Sequence, residues 1–302
     1  MLKNILIPLD GSQLAEAALP AAELLATKLN VPVTLLHVIE QNAPESVHKE
    51  HHLTKADEAE TYLKELASQA FSEKTKVDFH VHSAQVKDVP QSIVEHAAEF
   101  NPDLIIMCAH GNSGIRDFLF GRIAQQVVVN GATPLLLLQP MTSEKKPFKL
   151  RRILLPLDSE SLHDDSLPLA QDLAKSFDAE IYLLSVVPTF GTLHGAEAAA
   201  STVLPTTASA LLDAKEESAK QHLQEHLNDL FRSGYRTSAE VARGDPAQTI
   251  VNVAERLHAD MIILSTHRHA GLSAFWERSV APNVVRRTRI PIILIPLLAD
   301  KL

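Results

Sequence analysis

The sequence predicts an α/β protein made of two similar doubly wound domains, each a parallel sheet covered by helices on both faces. Three observations carry this. The chain of 302 residues is long enough for two domains of ordinary size. It repeats itself once. Within each copy, short apolar strands alternate with helical periodicity, the pattern of parallel strands buried on both faces.

The repeat is read directly. Residues 4–10 (NILIPLD) return as residues 152–158 (RILLPLD), an offset of 148. Carried to Ile39 and Val187, that offset gives 14 identities in 36 positions, including Pro8/Pro156, Asp10/Asp158, Pro20/Pro168, Leu35/Leu183 and Val38/Val186. The later parts align at an offset of 157, through Asp88/Asp245, Ile93/Ile250, Asp103/Asp260, His110/His267, Gly114/Gly271, Ala124/Ala281 and Pro134/Pro291. Two units of this length are domains, not a solenoid. The expected domains are residues 1–140 and 151–302, joined by the polar linker 141–150. The second copy is longer by nine residues, and the Ala-, Thr-, Ser- and Gly-rich stretch 189–210 is the place for the insertion.

In the first copy, Ile5–Ile7 reads as a strand stopped by Pro8, Asp10 and Gly11. Leu14, Ala17, Ala18, Ala21, Leu24, Leu25 and Leu29 then recur at helical spacing, with Ser12 as N-cap. Residues 31–39 predict a second strand, 53–74 a helix, 77–83 a strand, 88–100 a helix, 104–108 a strand, 121–130 a helix and 134–138 a strand. The second copy follows the same order. This is a Rossmann- or flavodoxin-like succession, whose crossovers are right-handed. Such sheets place ligands beyond the carboxyl ends of their strands, at the switch in strand order. Those ends are the loops at Asp10, Ile39 and His110, and at Asp158, Val187 and His267.

Composition excludes several classes. Lys plus Arg is 28 against 37 for Asp plus Glu, a net charge of −9 that offers no bulk attraction to nucleic acid or anionic membrane. No apolar run approaches the ~18 residues of a spanning helix. The opening residues lack the length and cleavage site of a signal peptide. The single cysteine, Cys108, allows no intrachain disulfide, which fits a reducing, cytoplasmic setting. P-loop, nucleophile-elbow and His-Glu-x-x-His patterns are absent from the sequence.

The loop after the fourth strand carries the chemistry. Its glycines, Gly111, Gly114 and Gly121, let the backbone approach a ligand. Gly121 stands where a helix begins, a natural anion site, and Arg122 adds a charged donor fork. Asp10 at the first strand end is placed to accept from a ribose or base. Asp10 and Asp158 equally suit turn caps, and His110 and His267 suit backbone hydrogen bonds that orient their loops. Cys108 reads as a small buried apolar group. Among the 15 histidines, His48, His51 and His52 are expected on one helical face and His80 and His82 on one side of a strand. Such faces can bind Zn²⁺, yet no strong ligand signature accompanies them, and solvated polar faces are expected. Arg286, Arg287 and Arg289 are expected at the cationic end of a helix.

On these motifs the chain resembles a tandem universal stress protein: ILIPLDGS at 5–12, LLHV at 35–38, DLIIM at 103–107 before Ala-His-Gly, and TPLLLL at 133–138, with the resemblance covering nearly the whole chain twice. It implies a fold of the adenine nucleotide alpha-hydrolase type. Nucleotide-binding members carry a loop of Gly, two residues, Gly, nine residues, Gly, then Ser or Thr. Here Gly111, nine residues and Gly121 match, while the first Gly is Cys108 and the final Ser or Thr is Arg122. In the second copy the four positions are Ser265, Arg268, Arg278 and Ser279, so only the Ser survives.

The resemblance therefore implies nucleotide-binding positions at Pro8, Asp10, Val38, His110, Gly111, Gly114, Gly121, Arg122 and Ile123. Second-copy candidates are Pro156, Asp158, Val186, Arg268, Arg278, Ser279 and Val280. The ligand it implies is ATP or AMP, with Mg²⁺ a potential companion, in a stress-response protein without a dedicated catalytic centre. The alternatives are an interaction module that binds no nucleotide and a slow ATP hydrolase. Family members pair through their last strand, so residues 134–139 and 291–296 are expected to meet inside one chain, and tandem chains to associate further as homodimers.

Overall fold

The computed structural model describes residues 2–44, 46, 47, 50–109, 121–139, 148–158, 161–193, 195–267 and 280–297. In the first repeat, β1 (Ile5–Pro8), α1 (Gln13–Glu16), α2 (Leu19–Leu29) and β2 (Val33–Glu40) lead to a small hairpin, β3 (Ser46–Val47) with β4 (Glu50–His51). There follow α3 (Ala56–Ala70), β5 (Val77–Val86), α4 (Val89–Phe100), β6 (Leu104–Cys108), α5 (Arg122–Asn130) and β7 (Leu135–Leu138). The second repeat runs β8 (Arg152–Pro156), a 3-10 turn (Ser161–Ser166), α6 (Leu167–Phe177), β9 (Glu180–Val187), α7 (Gly195–Val203) and α8 (Pro205–Arg232). It ends with β10 (Thr237–Arg243), α9 (Pro246–Arg256), β11 (Met261–His267), α10 (Val280–Arg287) and β12 (Ile292–Leu297).

Ten of the described strands form one sheet, in the order β10-β9-β8-β11-β12-β7-β6-β1-β2-β5. Within each repeat the order is therefore 3-2-1-4-5, the doubly wound order, and neighbours run parallel. The repeats meet at β7 and β12, which pair antiparallel with Ile292 opposite Leu137, Ile293 opposite Leu136 and Leu294 opposite Leu135. The junction expected between the two last strands is present. Gln139 reinforces it, donating from Nε2 to the Thr288 carbonyl at 3.1 Å.

Strand alternation splits the core into two layers. Leu136, Leu138, Ile293 and Ile295 belong to the layer on one face, and Leu135, Leu137, Ile292 and Leu294 to the layer on the other. Both layers run through both repeats without a break. Burying one such side chain contributes ~1.5–3 kcal/mol, so the shared face holds the halves together more than any polar contact at the seam.

Three expectations are corrected. The single helix over 12–29 is two, because Pro20 has no amide to give Glu16 and its ring clashes with that carbonyl. Ser46–Val47 and Glu50–His51 pair as antiparallel strands, so His51 and His52 do not share a helical face; His51 is exposed and His52 buried, and His48 lies outside the described residues. The helix expected at 53–74 spans only Ala56–Ala70. Ser12 caps α1 as expected, its Oγ accepting from the Ala15 amide at 3.2 Å. Arg286 and Arg287 end α10. The insertion is helical, extending into the 28-residue α8. Among the described residues no helix is long and apolar enough to cross a membrane.

One repeated device explains a repeated residue. Asp103 accepts from the Lys3 and Asn4 amides at 2.6 and 3.1 Å, and Asp260 from the Arg151 and Arg152 amides at 2.8 and 3.0 Å. Each carboxylate ties the start of the fourth strand to the start of the first. Asp103→Ala and Asp260→Ala should each cost about 1–2 kcal/mol in urea unfolding, and the Asn variants, which keep one acceptor, should cost less.

Candidate functional site

The first repeat opens a cleft of about 360 Å³ beyond the carboxyl ends of its strands, in the size range of small-ligand sites. Asp10 follows β1, His37, Val38 and Glu40 belong to β2, Lys87 and Asp88 precede α4, and Arg122, Ile123 and Gln126 come from α5.

The floor is built by local chemistry. Asp10 Oδ1 accepts from the Ser12 amide at 3.0 Å and from Ser12 Oγ at 2.6 Å, so this aspartate does hold a turn while also lining the cleft. The turn needs Gly11, whose φ is +88°, and a Cβ there would lie 2.9 Å from Leu53 Cδ1. His37, buried at 1%, sets its Nδ1 2.8 Å from the Leu9 carbonyl and its Nε2 3.2 Å from the Leu53 carbonyl. Burial pushes its pKa below the ordinary histidine value, against the pull of those carbonyls. The neutral ring has one N–H to give, and the shorter contact to Leu9 is the better hydrogen bond. His37 thus pins the β1 loop and the segment after the hairpin to β2. His52, also buried, lines the cleft and keeps an Nδ1 without a hydrogen-bond partner.

Gly121 is the N-cap of α5 and offers no side chain to its first-turn amides. Asp88 caps α4, accepting from the Gln91 amide at 3.1 Å. Cys108 is buried at the end of β6, and burial, with the Asp10 carboxylate behind it, pushes its thiol up to about 12. It remains a protonated apolar group, as its sequence context suggested, and a thiolate nucleophile is not available there.

The second repeat has a cleft of about 300 Å³ in the same place, lined by Pro156, Asp158, Val186, Ser265, Thr266 and Val280 among others. Its charge differs. Lys87 corresponds to Gly244 and Arg122 to Ser279. Among the described residues that line this second cleft there is no Lys or Arg.

Of the positions expected from sequence, the structure brings Asp10, Val38, Arg122 and Ile123 together in the first cleft and Pro156, Asp158, Val186 and Val280 in the second. Pro8 and Gly121 end β1 and cap α5 without lining the cleft. His110, Gly111, Gly114, Arg268, Arg278 and Ser279 lie outside the described residues. Lys87, His52 and Glu40 were missed. The carboxyl end of the third strand was the overlooked signal: Lys87 stands between β5 and α4.

His80 and His82 are not on a solvated face. They are half-buried on β5 against His96 of α4, with ring centroids 5.0 and 4.9 Å away, and Phe100 closes the group at 5.2 Å from His80. His96 donates from Nδ1 toward the Ser92 carbonyl at 2.7 Å. Burial and the facing imidazoles push the His80 pKa down.

The two repeats thus place a cleft each at the switch in strand order, where doubly wound sheets bind their ligands. The sequence profile of the Universal stress protein family matches residues 1–139 and 149–296, and the chain belongs to that family. Universal stress protein MJ0531 of Methanocaldococcus jannaschii is 28% identical over 149 residues, covering 48% of this chain and 81% of the relative. Universal stress protein MJ0577 of the same organism is 27% identical over 162 residues, covering 47% and 98%. Among solved structures, a universal stress protein from Archaeoglobus fulgidus superposes with a TM-score of 0.69 at 17% identity, covering 98% of each chain. A functionally unknown protein, PA1789 of Pseudomonas aeruginosa, gives 0.67 at 18%, covering 99% and 94%. These two likenesses are of fold, and they span both repeats.

Proposed function

We propose that this universal stress protein binds an adenine nucleotide in the cleft of its first repeat and responds to it by binding rather than by turnover. The observation that carries this reading is the placement of Lys87 and Arg122, from different elements, on one cleft at the switch in strand order. The α5 N-terminus, whose N-cap Gly121 brings no side chain, adds backbone amides for a phosphate. Asp10 and Val38 would meet ribose and base, with Ile123 covering an apolar face. His110, Gly111 and Gly114 are proposed to complete the site from the adjoining loop, with Pro8 and Gly121 as its backbone supports.

Charge selects among nucleotides. Lys87 and Arg122 stand with Asp10, Glu40 and Asp88, which leaves the described lining one negative charge in excess. A monophosphate suits that wall better than a bare triphosphate. ATP would need Mg²⁺, a hard cation for which Asp10 and Glu40 offer oxygens. The second cleft, with Pro156, Asp158, Val186 and Val280, lacks both corresponding cations. It is proposed as a weaker site, to which Arg268 and Arg278 would have to bring charge and Ser279 a hydroxyl.

Equilibrium titration with labelled AMP, and with ATP with and without Mg²⁺, tests the reading. AMP should bind, and ATP should gain affinity with Mg²⁺. Lys87→Ala and Arg122→Ala should each weaken binding by ~10-fold or more, the effect of losing one charged hydrogen bond. No binding of either nucleotide up to the order of millimolar would favour the interaction module that needs no nucleotide.

A further inference from the structure

We propose that Asp164, His222 and His226 form a binding site for a first-row divalent transition ion, with Zn²⁺ the best fit. Asp164 sits on the 3-10 turn after β8. His222 and His226, four residues apart, project from one face of α8 with ring centroids 4.5 Å apart and planes at 90°. Both Nε2 atoms turn to the carboxylate: His222 to Oδ1 at 3.3 Å and His226 to Oδ2 at 2.9 Å. The three ligand atoms all lie within 4.8 Å of one another, and the side chains are only 12–21% exposed.

The other repeat supplies the comparison. Asp164 corresponds to Glu16. There the carboxylate accepts one hydrogen bond, from Tyr62 Oη on α3 at 3.0 Å. A single neutral donor is therefore enough to dock the second helix of this fold on that acid. The second repeat instead aims two imidazoles at the same place, from a helix lengthened by the insertion, and a structural contact does not require the second ring.

Two imidazoles and a carboxylate make a set that Zn²⁺ binds at ~2.0–2.2 Å, which puts neighbouring ligand atoms of a tetrahedron ~3.3 Å apart. The two imidazole–carboxylate separations are already close to that edge and the three ligand atoms lie within 4.8 Å of one another, so side-chain adjustment alone would admit the ion. The ion would take the Nε2 lone pair of each ring, whose remaining proton then sits at Nδ1, and the carboxylate would turn from the ring N–H groups to the ion. Water would complete the shell on the open side. The ion would clamp α8 to a turn that packs against β11 and β12, beside the second cleft.

The test uses the full chain, stripped with chelator, then titrated with Zn²⁺ in competition with a dye and with Co²⁺ read by visible absorption. The wild type should take an ion tightly and show Co²⁺ bands in the visible. H222Q/H226Q should bind at least ~100-fold more weakly, since losing direct ligands costs no less than losing an outer partner, and should lose the bands. D164N, with one donor set intact, repeats the measurement should the double variant fold poorly. H80Q/H82Q removes the histidine group of the first repeat and should leave the tight ion in place. If well-folded H222Q/H226Q or D164N binds both ions like the wild type, or if H80Q/H82Q abolishes the tight ion, the proposal fails.

Discussion

Leu294→Ala will lower the unfolding free energy by about 2–5 kcal/mol, and the loss will appear in both repeats at once. Leu294 is fully buried on β12, opposite Leu135 across the antiparallel seam, in a core layer to which both halves contribute. A cavity there removes contacts from β7 and from β12 together. Native-state hydrogen exchange should show protection falling in β6 and β1 as well as in β11 and β8. Loss confined to the second repeat would mean that the two halves are stable independently of the shared sheet.

Gly11→Ala is the second large effect, about 2–4 kcal/mol, from a left-handed backbone and an overfilled contact together. Both causes sit at one residue, with φ at +88° and Leu53 Cδ1 and Cγ 2.9 Å from the added Cβ. They separate in a double-mutant cycle. In a Leu53→Ala background the steric part vanishes, and Gly11→Ala should cost only the ~1–2 kcal/mol of the left-handed conformation. Equal costs in both backgrounds would show that Leu53 yields freely.

The strand pattern was legible because it is set by burial. Ile5–Ile7, Leu104–Cys108 and Leu135–Leu138 are continuous apolar runs, and a sheet covered on both faces writes them that way. The Ser12 cap was legible for a similar reason: it acts on an amide three residues on. What failed was long-range or conflicting. Apolar spacing ran straight through Pro20 while the backbone could not. His48, His51 and His52 have the spacing of a helical face, but Glu50–His51 pairs as a strand with Ser46–Val47, and the Gln13 amide is met by Glu50 across the fold at 2.8 Å.

The site was half legible. Asp10 and Arg122 follow from strand ends and glycines, whereas Lys87 belongs to a third strand end that only the strand order brings alongside. Asp164 and His226 are 62 positions apart, and no spacing rule links them. Nor could composition show that the pair Glu16–Tyr62 and the group Asp164–His222–His226 are the same contact written twice with different side chains.

The seam between β7 and β12 has a consequence for how the two clefts evolve. Separate chains would pair according to their abundance, and like would meet like. One polypeptide keeps its halves at an effective concentration on the order of millimolar, whatever its level of expression. Partner choice is thereby removed from the surface and written into the covalent chain. Each molecule carries one mouth lined by Lys87 and Arg122 and one whose described lining has neither lysine nor arginine, in fixed one-to-one ratio, so either mouth is free to change without unmaking the pair.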